Sequence, residues 1–328
     1  MDILLGLLII SIGSFGQSSS YVPIKKIKSW EWENFWLVQG IFAWLVFPFL
    51  GALLAVPSDG SLCSLLSSGG APQSIVYGAL WGVGGLTFGL SMRYLGVALG
   101  QSISLGTCSA FGTLLPALMA GTDLLHGSGL VLLLGSLRSQ SMTAEEKQAA
   151  VKDFALTKGL AVALLAGVMS ACFALGLDAG SPIKEAALNA GVNPLYAGLP
   201  VILLVTLGGF ITNVAYCLWQ NVKNGTTKAY FSVSPSLFVN NVLFCMLAGV
   251  LWYSQFFGLE MGKSFFTDSP VLMAFAWSIL MSLNVIFSNL WGIILREWAG
   301  ANRKTIVALG IGLLILIFSI FFPSLMQG

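Results

Sequence analysis

Charge is what this chain has least of. Asp, Glu, Lys and Arg together make up 9% of its 328 residues, against roughly a quarter in a soluble domain. The net charge is +2, too small to draw in nucleic acid or a strongly acidic partner. Histidine is nearly absent: His126 stands alone, so no Ser/His/Asp or Cys/His triad can be assembled. The five cysteines (Cys63, Cys108, Cys172, Cys217 and Cys245) include no CxxC pair, which argues against a metal or redox centre. They read as small hydrophobes. No Walker loop occurs, so ATP is not a direct energy source. Gly82, Gly84, Gly85 and Gly89 follow no strand and make no dinucleotide loop; Gly78-x3-Gly82 and Gly85-x3-Gly89 fit close helix packing instead. Neither an enzyme nor a bound cofactor is expected.

What the chain has in excess is apolar surface, 56% of its residues being hydrophobic. A soluble fold of this length exposes too much surface to hide that fraction; the surrounding solvent must be lipid. The N-terminal apolar run lacks a basic leader and a small-x-small cleavage site, so it is expected to remain as the first span.

A bilayer-crossing helix needs roughly 20 apolar residues. Nine segments meet this: 3–22, 35–56, 74–92, 97–120, 159–178, 195–219, 236–258, 271–295 and 305–323. A tenth, 124–137, has 14 residues and reaches only about 21 Å. Loop charge argues that it crosses. With ten crossings, thirteen of the fifteen Lys and Arg fall in the odd-numbered loops, leaving only Lys184 and Lys263 in the even ones. Without that crossing the split becomes six against nine. Basic residues collect on the cytoplasmic side, so ten spans with both termini on the non-cytoplasmic side are expected, and a short span can cross by local bilayer thinning.

The two halves echo one another. Pro23-Ile24-Lys25 follows span 1 and Pro182-Ile183-Lys184 follows span 6. Leu80-Trp81 precedes Phe88-Gly89-Leu90-x-Met92, and Leu251-Trp252 precedes Phe257-Gly258-Leu259-x-Met261. Five spans per half would make inverted repeats, with a site between them near the midplane. The expected units are 1–137, a polar cytoplasmic linker 138–158, and 159–328.

Polar groups at membrane depth are costly and tend to face a cavity or a partner. Arg93 closes span 3, as a gate or a membrane-edge anchor. Asn213, Asn240, Asn241, Gln255, Asn284, Asn289, Gln17 and Gln101 lie in spans, each a substrate contact or an interhelical hydrogen bond. Trp81, Trp252 and Tyr253 stand near such amides. Sugars present hydroxyl edges and an apolar face, so aromatic rings beside amides suit them; interfacial belts are the competing account, favoured for Trp30, Trp32 and Trp36. Asp178, Glu185 and Glu260 are placed to carry a proton if poorly solvated, or else end wetted loops.

Several stretches resemble the L-rhamnose–proton symporter family of the drug/metabolite transporter superfamily. They are Tyr21-Val22-Pro23-Ile24-Lys25-Lys26, Trp30-x-Trp32-Glu33, Gly78-x2-Trp81-Gly82, Met92-Arg93-Tyr94-Leu95-Gly96, Pro194-Leu195-Tyr196, Trp252-Tyr253-x-Gln255-Phe256-Phe257 and Arg296-Glu297-Trp298. The resemblance runs over most of the chain. It implies an all-α protein of ten spans in two inverted repeats, in a bacterial inner membrane, with a cavity lined mainly by spans 1–4 and 6–9. It also implies L-rhamnose uptake by alternating access, coupled to protons. On it, Trp81, Trp252 and Tyr253 would pack the sugar, Asn213, Asn241 and Gln255 would bind hydroxyls, and Arg93 would gate the path. Glu33 and Glu185 match the pattern; Asp178 and Glu260 fall outside it, which moves the proton role toward Glu185, with Asp178 second. The chain departs from the family in its short fifth span. An exporter of small metabolites and a non-transporting sensor or scaffold are the alternative readings.

Overall fold

The computed structural model describes residues 2–57, 60–95, 103–112 and 156–294, together with Val307, Gly310, Ile311, Leu314 and Ile317. The expected fifth span, His126 and most of the linker lie outside the described residues, as does the tenth span apart from those five positions. Every described element is a helix. In chain order they are α1 (Asp2–Ser19), α2 (Tyr21–Ile24), α3 (Trp32–Gly40), a π-helical segment (Ile41–Val46), α4 (Phe47–Leu53), α5 (Leu62–Leu66) and α6 (Ala71–Leu95). Then come α7 (Ile103–Gly112), α8 (Leu156–Ala179), α9 (Ser181–Asn189), α10 (Leu199–Asn224), α11 (Pro235–Lys263) and α12 (Pro270–Ile294). Among the described residues, six segments are long and apolar enough to cross a membrane: Asp2–Ile24, Trp32–Leu53, Thr157–Asn189, Leu199–Asn224, Pro235–Lys263 and Pro270–Ile294. Helix α6 has 25 residues, about 37 Å of rise.

The packing is that of a protein in lipid. On α1, Leu4, Leu8 and Ile12 are exposed to one side, while Gly6, Gly13 and Ser14 are buried beside Leu7 and Ile10, so small residues help the face turned to the neighbouring helices approach closely. Close crossings rest on glycine. A Cβ at Gly78 would run into Val205, one at Gly208 into Ile75, and one at Gly13 would come within 2.6 Å of the Ser254 carbonyl oxygen. Of the two glycine pairs expected to pack closely, Gly78 and Gly82 do, Gly82 lying against Gly209 and Thr212. Gly85 does not: a Cβ there would meet nothing within 4 Å, because it points away from the crossing.

Helix ends follow local chemistry. Helix α11 opens with Pro235 behind a Ser234 whose hydroxyl accepts from the Leu237 amide, an N-cap that satisfies one orphan donor. Helix α10 stops at Gly225, φ 69°, a left-handed C-cap that glycine adopts without Cβ strain.

The long-range contacts form a pattern. Helix α1 lies along α11 and also touches α12; α6 lies along both α8 and α10; the α3–π–α4 stretch packs on α10 and α11. The chain bends in the same way twice: α1 breaks at Ser20 into the short α2 containing Pro23, and α8 breaks at Gly180 into α9, which opens with Pro182.

Candidate functional site

A column of aromatic rings runs inward from the exposed Trp32. Trp32 stacks on Trp36 with centroids 5.2 Å apart, and Trp36 meets Trp44 at 5.6 Å. Trp44 stands edge-on to Trp81 at 6.1 Å and to Trp252 at 5.9 Å. Trp81 reaches Phe173 at 5.1 Å, Phe173 stacks on Phe256 at 4.1 Å and on Trp277 at 5.5 Å. The α3–π stretch, α6, α8, α11 and α12 all contribute. Trp30 and Trp36, expected in an interfacial belt, turn toward neighbouring helices. Trp30 is buried against Tyr230 and Phe238, and Trp36 turns its indole N–H inward to Asn213, because the helices on either side offer both ring contacts and an acceptor.

The amides anchor this column. Asn213 Oδ1 accepts from Trp36 Nε1 at 3.0 Å, and its Nδ2 donates to the Gly209 carbonyl at 2.8 Å, tying α3 to α10. Gln255 Oε1 accepts from Asn284 Nδ2 at 2.9 Å, and its Nε2 donates to the Trp252 carbonyl at 3.1 Å. Asn284 Oδ1 is left without a partner although the residue is 2% exposed. Tyr253, whose hydroxyl is also unpartnered, lies against Gly51. Asn241 sits apart: its amide clasps the backbone of Lys28, accepting from the nitrogen at 3.2 Å and donating to the oxygen at 2.8 Å. Eleven residues of helix, about 16 Å, separate it from Trp252. Arg93 falls in the last turn of α6; its side chain lies outside the described residues.

At one end of the column Trp277 borders a cavity of ≈ 480 Å³ that is also lined by Asp178, Lys184, Gly198, Glu260 and Lys263. Glu260 is buried there between two cations, Lys184 Nζ 2.8 Å from Oε2 and Lys263 Nζ 3.0 Å from Oε1. Gly198 leaves room for the carboxylate, which a Cβ would strike. Asp178 is exposed on the cavity wall; Glu185 is exposed on α9 and is not part of the lining.

The other end is sealed by polar residues of α3, α10 and the 3₁₀ turn Thr226–Tyr230. Glu33, 5% exposed, has its Oε1 2.7 Å from the Thr226 hydroxyl and 3.0 Å from Asn224 Nδ2. Asn34 Oδ1 accepts from the Glu31 amide at 3.1 Å, capping α3, while its Nδ2 donates to Asn221 Oδ1 at 2.8 Å. Asn221 in turn donates to the Tyr230 hydroxyl at 3.0 Å, and burial pushes that phenol above its usual range. The sequence reading picked out Glu33 by resemblance alone and missed Asn34, Asn221, Asn224 and Thr226. These polar residues fall at helix termini, where a sequence suggests nothing beyond capping. It also missed Trp44; Asn284, left open between a substrate contact and an interhelical hydrogen bond, makes the bond, to Gln255.

Two comparisons bear on what this arrangement belongs to. Residues 1–325 match the family described as L-rhamnose-proton symport protein (RhaT). An L-rhamnose-proton symporter of Yersinia pestis (strain Pestoides F) is 33% identical over 332 residues, covering 97% of this chain and 96% of the relative. A protein of the same name from Cronobacter sakazakii (strain ATCC BAA-894) is 34% identical over 331 residues, covering 96% and 95%. A chain with a tryptophan-lined interior and polar closures, matched along nearly its whole length, belongs to the L-rhamnose-proton symporter family.

Proposed function

We propose that this protein imports L-rhamnose together with protons by alternating access between two inverted five-span repeats, 1–137 and 159–328, joined by a cytoplasmic linker, 138–158. The repeat reading is supported by the contact pattern. If spans 1 to 5 correspond to 6 to 10, the pairing of α1 (span 1) with α11 (span 8) is the counterpart of that of α8 (span 6) with α6 (span 3). The two proline-bearing bends after α1 and α8 correspond likewise. Such an architecture suits the drug/metabolite transporter superfamily and a bacterial inner membrane, with both termini on the non-cytoplasmic side. Lys184 and Lys263, the two cations the charge rule leaves outside, then share the buried Glu260 as counterion.

On this reading the cavity at Lys184 and Lys263 opens outward, and the Glu33–Asn34–Asn221–Thr226 cluster closes the cytoplasmic end. The observation that carries the proposal is the tryptophan column between them, which offers ring faces from both repeats. A deoxysugar has an apolar face for such rings and hydroxyls for amides. Trp81, Trp252 and Tyr253 would pack it, while Asn213 and Gln255 would trade protein partners for hydroxyls; Asn241 would meet it only on exit. Asp178, at the cavity wall, and Glu185 would serve as proton carriers. Arg93 would gate the cytoplasmic end.

The test is proton-coupled uptake in proteoliposomes without an imposed gradient. External L-rhamnose should raise the external pH and glucose should not. Folded, correctly inserted protein that gives neither uptake nor a pH change refutes the symporter reading.

A further inference from the structure

We infer that Trp44, which the sequence reading passed over, is the residue at which the sugar is recognised: its indole N–H donates to one sugar hydroxyl while its ring packs the sugar face. The inference rests on the rhamnose reading above and adds a named contact to it. Three independent observations converge on this residue. It is one of the junctions of the column, meeting Trp36, Trp81 and Trp252, so it joins the second span to the third and the eighth. It sits in the π-helical segment Ile41–Val46. Such segments are rare, cost hydrogen-bond geometry, and recur at functional sites. And its Nε1 is without a hydrogen-bond partner while the residue is only 4% exposed.

The last point carries the chemistry. Indole N–H is a donor only, and a buried donor left unpaired carries a desolvation penalty that a native interior normally avoids. Trp36, its neighbour in the column, does find an acceptor, Asn213. Trp44 has none among the described residues, and the same is true of Trp30 and Trp277; of the three only Trp44 also lies in the π-helical segment and against Trp81 and Trp252, so its donor is the one open to a group that comes and goes. One turn earlier Gln39, 2% exposed, has an unpartnered Oε1. Gly40 supplies the room: a Cβ there would lie 2.6 Å from the Trp44 ring. Trp81 and Trp252 pack against Trp44; a sugar entering from the Trp277 side would part them and take the Trp44 N–H.

The experiment measures L-rhamnose binding to the purified full chain in detergent, by calorimetry, for wild type and Trp44→Phe, with a set of monodeoxy L-rhamnose analogues. Trp44→Phe keeps a ring and loses the donor. Binding of L-rhamnose should weaken by about tenfold, the usual worth of one buried hydrogen bond. One analogue should bind about tenfold worse than L-rhamnose to wild type and no worse than L-rhamnose to Trp44→Phe, the coupling expected of a direct contact. Equal binding by the two proteins, or the same penalty for every analogue in both, overturns the inference. Wild type that binds no L-rhamnose overturns the functional reading itself. Should Trp44→Phe not be recovered folded, 3-benzothienylalanine at position 44 replaces N–H by sulfur in the same two-ring shape and gives the same comparison.

Discussion

Lys184 Nζ lies 2.8 Å from Glu260 Oε2, joining α9 to the end of α11 on the wall of the cavity. Lys263 holds the other oxygen from one turn along the same helix. The carboxylate is 3% exposed, while the lysine side chains are 30% and 20% exposed, so the lysines remain partly screened and the acid does not. Removing the acid should therefore hurt more than removing either base. Glu260→Ala should cost about 3 kcal/mol, the lower end of what breaking a buried pair costs, and Lys184→Met about half of that, since Lys263 remains. Thermal unfolding in detergent checks the order; equal effects would show that the pair is a surface interaction.

Two glycines on one helix should behave in opposite ways. Gly78→Val pushes a side chain into Val205 at the α6–α10 crossing and should abolish folded protein. Gly85→Ala meets nothing within 4 Å and should be neutral, or stabilising by up to about 1 kcal/mol from helix propensity. Monodisperse yield by size-exclusion chromatography separates them.

The closure around Glu33 depends on amides. Asn34→Leu removes both the cap of α3 and the bond to Asn221, leaving a buried amide short of a partner at a cost of about 1–3 kcal/mol. The closed end should open more often. Cys217, which is fully buried on α10, then becomes a reporter: with the other four cysteines replaced, N-ethylmaleimide should modify it several-fold faster in Asn34→Leu. An unchanged rate would mean that the aromatic contacts of Trp30 with Tyr230 and Phe238 hold the closure alone.

Trp81 and Asn241 should divide binding from bracing. Trp81→Ala removes a ring that touches Trp44, Trp252 and Phe173 and should raise the KM for L-rhamnose by about tenfold or more, on the scale of an aromatic pair plus its buried area. Asn241→Ala frees the Lys28 backbone and should lower thermal stability by about 1–2 kcal/mol while leaving KM within about twofold, a ratio worth under half a kcal/mol. Initial-rate uptake measures both; a large KM change in Asn241→Ala would bring that residue into the entry site.

The sequence by itself determined that the chain is helical and lies in lipid, because a 9% charged, 56% hydrophobic composition leaves no other solvent. Among the described residues it placed the starts of the long helices within about four residues, since an apolar run of fixed length is a local property. It also carried the family, through short motifs spread over both halves. The tertiary structure decided what those residues touch. Trp30 and Trp36 stand where an interfacial belt would also put them, and only the neighbouring helices turn them inward. Asn213, Asn241 and Gln255 look alike along the chain, yet one braces Trp36, one clasps Lys28 and one meets Asn284. The difference lies in which helix crosses at that height. Trp44 had no signal at all, because a missing hydrogen-bond partner is a property of the surroundings, and the surroundings come from residues far apart in the chain.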